Sequence, residues 1–272
     1  MVKGSVKFYA RPKLNSPNLL AAWPGIGNVS VIVANYLRRK LDFQPLGDIE
    51  ASHFFDPIGV IARDNLVEAP QFPQSKFYYW KNEGNGSDLI LFLGDEQPVT
   101  KAYELAGCVI DVGLSFQVKR VYTCAAALTH IHYTEQPRVW GVATDQQLAE
   151  ELARQELVQG GTIQIAGLNG LLLGAAKEKG VEGICLLGEV PAAISRMENP
   201  MAALAIVKVL GPMLGLEIDT TELAELAQET TERMRQATAV AMGEYIERFT
   251  QPIWEQGDGE DGDEEEEDDD EE

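Results

Sequence analysis

The spacing of apolar residues along the chain predicts an alternation of buried strands and amphipathic helices. Residues 18–23 (NLLAAW) form an apolar run of strand length, and residues 29–40 carry apolar side chains at helical spacing. The same reasoning places strands at 43–49, 119–125 and 138–143, and helices at 99–118, 145–154, 200–209 and from the capping sequence 219–222 to about 249. This succession of strands and helices indicates an α/β fold.

The central stretch of the pattern, residues 167–191, predicts a helix, a tight turn and a buried strand. Gly180 lies where a left-handed C-cap belongs. Residues 183–188 are apolar at every position, which suits a parallel strand covered on both faces. Glu189 follows this strand, at the end where open α/β sheets bind ligands. Alternatively, Glu189 caps or pairs with a group at the edge of the sheet.

Residues 58–93 predict an antiparallel β excursion within this α/β frame. Turn residues at 63–65 and at 84–86 separate pairs of strand-like runs, which is the pattern of β-hairpins. The strand over 75–81 (SKFYYWK) holds four consecutive aromatic residues. Its exposed edge offers a face for self-association, and the alternative is that these residues belong to an ordinary core.

Acidic residues are concentrated at the end of the chain. The net charge is −21 over 272 residues, and 14 of the 43 acidic residues lie between 255 and 272, where there is no basic residue. The rest of the chain therefore carries 29 acidic against 22 basic residues. Neither part has the basic surface that nucleic acid or an anionic membrane requires. We expect an α/β domain over residues 1–253 and a disordered acidic tail over 254–272.

The N-terminal sequence and the cysteines predict a cytoplasmic protein with no metal and no cofactor. The first residues lack the apolar core of a signal peptide, and no apolar run reaches membrane-spanning length. Cys108, Cys124 and Cys185 lie far apart in apolar contexts and are expected to be buried free thiols. His130 and His132 lack further converging ligands, so no zinc site is predicted.

The glycine-rich turn Pro24–Asn28 has two interpretations. It joins the first predicted strand to the first helix, a geometry that presents backbone N–H groups and a helix dipole to an anion. However, its sequence matches neither a Walker loop nor the GxGxxG fingerprint. Close packing of strand and helix is therefore favoured over a phosphate cradle, and both roles are compatible.

The candidate ligand-binding residues come from four separate stretches. Glu96 and its neighbour Asp95 form a pair of carboxylates directly after a buried strand. Capping of the next helix is the favoured role of Glu96, and ligand binding is the alternative. The full candidate set is Gly25, Gly27, Asn28, Glu96, Asn169, Gly170 and Glu189. No nucleophile elbow, HExxH, CxxC or kinase signature occurs, so no catalytic residue is predicted.

Four motifs, in this order along the chain, together resemble the PAC2 family, the relatives of proteasome assembly chaperone 2. They are Trp23–Asn28 (WPGIGN), Gly94–Pro98 (GDEQP), Gly167–Leu172 (GLNGLL) and Cys185–Glu189 (CLLGE). The resemblance covers about residues 19–249. It implies a three-layer α/β/α fold with a mixed sheet, similar to the purine nucleoside phosphorylase architecture, here followed by a long C-terminal helix and the acidic tail.

The resemblance also implies self-association and a partner. Eukaryotic relatives pair and guide proteasome α-subunit rings, and archaeal relatives form homo-oligomers that bind proteasome-like particles. Archaeal relatives dock through a hydrophobic-Tyr-x ending, whereas this sequence ends Asp270–Glu272, so that mode of docking is not expected.

Three functional hypotheses follow. The leading one is a non-enzymatic homo-oligomeric scaffold or assembly chaperone, whose acidic tail engages a basic partner. The alternative is a binder of, or an enzyme acting on, a nucleoside- or phosphate-like small molecule. In a third view the tail serves only solubility.

Overall fold

The structure, a computed structural model, describes residues 6–57 and 59–250, without the side chains at 237, 238 and 241–250. The strands are β1 (Val6–Phe8), β2 (Asn18–Ala22), β3 (Gln44–Ile49), β4 (Ala62–Arg63), β5 (Leu66–Val67), β6 (Ser75–Trp80), β7 (Leu89–Gly94), β8 (Arg120–Thr129), β9 (Val139–Ala143) and β10 (Glu182–Pro191). The helices are α1 (Val29–Lys40), α2 (Ala102–Ser115), α3 (Gln146–Leu152), α4 (Gly167–Glu178), α5 (Pro200–Met213) and α6 (Thr221–Thr250). The expected domain boundary at residue 253 and the acidic tail lie outside the described residues, and the disorder of the tail stays a prediction.

Eight of the strands form one mixed sheet in the order β1-β3-β6-β7-β2-β8-β10-β9. The central strands β7, β2, β8 and β10 run parallel to one another. The other neighbouring pairs, β1–β3, β3–β6, β6–β7 and β10–β9, are antiparallel. β4 and β5 pair with each other in a separate two-stranded sheet. The apolar sequences of the central strands agree with burial on both faces of the sheet.

Helices cover both faces of the large sheet. On one face, α1, α3 and α5 pack in the core that contains Leu20 and Ala22 of β2. On the other face, α2 and α4 pack in the core that contains Leu19 and Ala21 of the same strand, and Trp23 after it. Successive residues of β2 thus serve opposite cores, as the two-residue period of a strand requires. The three-layer α/β/α fold with a mixed sheet is confirmed.

Several element boundaries follow local signals in the sequence. The range of α1 agrees with the helical spacing of its apolar residues. The side chains of Asp145 and Asn199 cap α3 and α5, accepting hydrogen bonds from the backbone N–H groups of Leu148 and Ala202. Gly180, after α4, has a φ of +67°, the left-handed conformation expected of a C-cap.

The structure corrects two expectations about strands. β6, with its run of aromatic residues, lies between β3 and β7, so it offers no free edge for self-association. Phe77 of β6 is buried and packs edge-on against Phe92. β10 extends to Pro191, because its pairing with β8 continues as far as Thr129. Glu189 therefore lies inside the strand rather than after it.

The long C-terminal helix is confirmed as α6, which has 30 residues. The chain divides into two units after Thr231. Before that division, Leu223 and Ala227 of α6 are buried in the core that also contains residues of α1 and α5.

Among the described residues, no helix combines the length and the hydropathy needed to cross a membrane.

Candidate functional site

A cavity of about 410 Å³ lies at the carboxyl ends of the parallel strands β2 and β8. Ala125 and Ala126, in the second half of β8, form part of its wall, and their small side chains leave room beside the strand. Gly25, three residues after β2, and the loop 163–166 before α4 also line it. Because open α/β sheets bind ligands at the carboxyl ends of their strands, this cavity is the candidate functional site.

The glycine-rich turn after β2 is anchored to the segment that precedes α5. Gly27 has a φ of +62°, its N–H donates to the carbonyl oxygen of Ser195, and its own carbonyl accepts from the N–H of Asn199. Asn28, at a φ of +49°, donates from its side chain to Glu198 at 3.2 Å. These contacts favour the packing role of the turn. A side chain added at Gly25, in contrast, would meet nothing within 4 Å.

Gln97 connects three segments at the edge of the cavity. Its side-chain amide donates to the carbonyl oxygen of Pro24 at 2.7 Å, and its side-chain oxygen accepts from the N–H of Leu168 at 2.9 Å. One side chain thereby joins the loop after β7, the turn after β2 and the first turn of α4. Gly167 allows this approach, because a Cβ atom there would lie 2.6 Å from the Gln97 oxygen.

Asn169 and Gly170 both lie in the first turn of α4, yet they face different surroundings. Asn169 lines the cavity and is 5% exposed. Its backbone carbonyl accepts a hydrogen bond from the hydroxyl of Thr123 on β8. At Gly170 a Cβ atom would overlap the carbonyl oxygen of Ile165, so this glycine permits the loop before α4 to pack on the helix. Gly170 itself does not line the cavity.

Glu189 forms a buried ion pair away from the cavity. It is 1% exposed and accepts hydrogen bonds from the Arg138 guanidinium, with Nη2–Oε1 at 2.8 Å and Nε–Oε2 at 3.1 Å, and from the Arg138 backbone N–H at 3.0 Å. Burial alone raises the pKa of Glu189, but the hydrogen bonds and charge of Arg138 outweigh it and hold that pKa below its ordinary value. Pairing near the sheet edge, the alternative role read from the sequence, is the observed one.

The cavity thus brings together two of the seven candidate ligand-binding residues, Gly25 and Asn169. Glu96 is exposed on the loop after β7 and does not line the cavity. Three polar lining residues were missed in the sequence: Ser30 in the first turn of α1, Gln97, and Gln164 in the loop before α4. Gln97 lies inside the GDEQP motif and Ser30 two residues after the WPGIGN motif, which is the signal that could have identified these two.

The described residues provide neither a metal centre nor a reactive thiol. No cluster of three or more His, Cys, Asp or Glu residues there could hold a metal ion. All three cysteines are buried and free, as expected. Burial raises the pKa of the Cys108 and Cys185 thiols to about 12 and that of Cys124 well above its ordinary value. Protonated buried thiols of this kind are poor nucleophiles.

Comparison with known proteins places the chain in a family. The model of the PAC2 family matches residues 19–238. This chain belongs to the PAC2 family. The resemblance seen in the four sequence motifs is therefore confirmed, and the matched residues run from β2 into α6, with β1 outside them.

Individual relatives agree with this assignment. PbaB of Pyrococcus furiosus, described as an archaeal proteasome activator, is 31% identical with a TM-score of 0.75 over 88% of this chain and 100% of that chain. PbaA of the same organism, described as an archaeal homolog of proteasome-assembly chaperone, is 25% identical with a TM-score of 0.64, over 86% of this chain and 96% of that chain. The uncharacterized protein MJ1210 of Methanocaldococcus jannaschii is 26% identical over 79% of this chain and 80% of that protein.

Proposed function

We propose that this chain is a cytoplasmic, non-enzymatic, homo-oligomeric scaffold or assembly chaperone that acts on a proteasome-like complex. The similarity to PbaB carries the proposal, because it exceeds 30% identity and covers the whole of a structure described as a proteasome activator. The similarity to PbaA, a homolog of a proteasome-assembly chaperone, supports the same class of partner. Fold alone would not support it, since one architecture serves many functions.

The hairpin of β4 and β5 supports the oligomeric part of the proposal. Its strands are hydrogen-bonded only to each other among the described residues, and its apolar side chains are exposed. Leu66 and Val67 are 72% and 71% exposed, and Val60 and Ile61 before the hairpin are about half exposed. A small exposed sheet with apolar side chains is a surface for pairing with another chain. We propose that a second copy of the hairpin covers it, since both strands offer free edges for symmetric pairing.

We expect the double substitution Leu66→Glu and Val67→Glu to dissociate the homo-oligomer. Consecutive strand residues point to opposite faces, so pairing of two hairpins edge to edge would bring two negative charges close together on each face. Within one chain, both positions are exposed. The free energy of unfolding of the subunit should change by no more than about 0.5 kcal/mol per site. Analytical ultracentrifugation and chemical denaturation measure the two effects. Val99→Glu, at a side chain 99% exposed elsewhere on the surface, is the matched control. An unchanged oligomer in the double variant contradicts the assignment of this contact.

The proteasome part of the proposal is tested by affinity purification from the source organism. We expect the full-length chain to recover proteasome subunits in fixed stoichiometry, and a chain stopped after Pro252 to lose them. Attraction to a basic surface through the 14 acidic residues of 255–272 explains the loss, and it should weaken at high salt.

A chain of full length, with those acidic residues replaced by Asn and Gln, separates the charge of the tail from its length. If the full-length, truncated and neutral-tail forms all recover proteasome subunits at every salt concentration, the tail is not needed for binding and serves only solubility. Recovery of this chain alone, without any proteasome subunit, would contradict the proposed partner.

A further inference from the structure

Two side chains in the cavity wall have no hydrogen-bond partner inside the protein. The Ser30 hydroxyl and the Asn169 side-chain oxygen are both buried and have no hydrogen-bond partner. The two residues are 3% and 5% exposed. An unpaired buried polar atom destabilises a fold by about 1 to 3 kcal/mol. Two of them at one cavity point to a molecule that completes their hydrogen bonds.

The two side chains reach the cavity from opposite layers of the fold. Ser30 lies in the first turn of α1 and Asn169 in the first turn of α4, and each helix has 12 residues. Neither helix has a capping hydrogen bond from its N-cap side chain, although Gln97 accepts from the Leu168 N–H in the first turn of α4. The backbone N–H groups at a helix start carry a partial positive charge, which favours a hydrogen-bond acceptor on the ligand.

The rest of the wall restricts the chemistry of the ligand. No Lys, Arg, His, Asp or Glu lines the cavity, and apolar side chains from β8, β10 and the loop 163–166 dominate it. A phosphate dianion would find no opposite side-chain charge there. An apolar ring fits these walls, and the volume of about 410 Å³ is within the range of small-molecule sites.

We propose that this cavity binds a small, uncharged ring compound with an amide-type edge, in which an N–H donor and a C=O acceptor are adjacent. The ligand N–H donates to the side-chain oxygen of Asn169. The Ser30 hydroxyl, at the start of α1, donates to the ligand carbonyl. Gly25 leaves the entrance open, and Gln97 holds the turn and α4 at the spacing that the ligand spans. This site is independent of the proteasome partner proposed above.

The first test uses three probes that carry this edge: uracil, hypoxanthine and nicotinamide. Saturation-transfer NMR at millimolar probe concentration, with the full-length protein, should detect at least one of them. 1,3-Dimethyluracil keeps the ring but lacks the N–H donors, and we expect it to bind at least about tenfold more weakly than uracil. Inorganic phosphate should not bind. Failure of all three probes, or dimethyluracil binding as well as uracil, would overturn the proposal.

The second test removes each unpaired group in turn. Ser30→Ala and Asn169→Leu should weaken the binding of the detected probe by about tenfold or more, because each loses one buried hydrogen bond. Ser75→Ala is the matched control, since Ser75 on β6 is also a buried hydroxyl without a partner but does not line the cavity. It should bind the probe as the unmodified protein does.

Stability separates this result from simple misfolding. Ser30→Ala removes an unsatisfied polar atom, so the thermal midpoint without probe should not fall. Full probe affinity in both cavity variants would overturn the assignment of Ser30 and Asn169. An equal loss of affinity in Ser75→Ala would likewise overturn it, because the effect would then not belong to the cavity.

Discussion

Replacement of Arg138 by methionine is expected to lower the free energy of unfolding by about 2 to 3 kcal/mol at neutral pH, because it leaves the Glu189 carboxylate buried without its counter-charge. Glu189 is 1% exposed, and two of its three hydrogen bonds to Arg138 come from the guanidinium. We place the loss below the range for fully buried pairs because 70% of the Arg138 side chain is exposed and water screens the pair. Chemical denaturation measures the loss.

The pH dependence identifies the charge as the cause. In the unmodified protein the folded-state pKa of Glu189 lies below its ordinary value of 4.5, so the pairing stabilises the fold above that pH and is lost as the pH falls through the folded-state pKa. In Arg138→Met the backbone N–H of residue 138 still donates to Glu189, but the guanidinium is gone, and we expect burial, the largest single influence, to raise the pKa of Glu189. The variant then loses stability as the pH rises through the raised pKa. The difference between the two proteins should be largest at neutral pH and shrink toward about pH 4.

Glu189→Gln supplies the matched background. With a neutral amide at this position, Arg138→Met strands no charge, so its effect on the free energy of unfolding should be smaller and nearly independent of pH. An equal loss in both backgrounds would show that Arg138 stabilises the fold by packing alone.

Gly170→Ala is expected to destabilise the protein by about 1 to 3 kcal/mol, even though alanine is the better helix former. Gly170 lies in α4, and an added methyl group would overlap the backbone carbonyl oxygen of Ile165. Either the loop 163–166 or the start of α4 must move. Because that loop lines the cavity, the displacement should also change the cavity wall.

Gly174→Ala, on the same helix, is the matched control. A methyl group there would meet nothing within 4 Å, so the helix propensity of alanine should stabilise the protein by up to about 1 kcal/mol. Thermal and chemical denaturation of the two variants should therefore differ in sign. Two stabilising substitutions would contradict the tight contact at Gly170.

The elements that sequence patterns predicted well are those set by neighbours in the chain. α1 depends on helical spacing, and the end of α4 depends on a left-handed glycine at 180, both of which are visible within one window of residues. The mixed sheet followed from buried apolar runs and hairpin turns, together with the family resemblance. The strand limits were less accurate, because a strand ends where its neighbours end. β10 continues through Glu189 because β8 continues beside it.

The site was predicted in part, for a related physical reason. Gly25 and Asn169 were found because glycine and asparagine at the start of a helix are conspicuous in a sequence. The partner of Glu189 is 51 residues away, and the two partners of Gln97 are 73 and 71 residues away. No local pattern reports such pairings, so the sequence showed neither the ion pair nor the role of Gln97. Ser30 could be identified only from the fold, in which its buried hydroxyl has no hydrogen-bond partner.

Gln97 has a further consequence for the motions of this edge of the sheet. Its side-chain amide forms hydrogen bonds with both Pro24, in the turn after β2, and Leu168, in the first turn of α4. If α4 frays at its first turn, Gln97 loses one bond and its hold on the glycine-rich turn weakens at the same time. We therefore expect the opening of these segments to be coupled, and the amide of Leu168 to exchange with solvent when its hydrogen bond to Gln97 breaks.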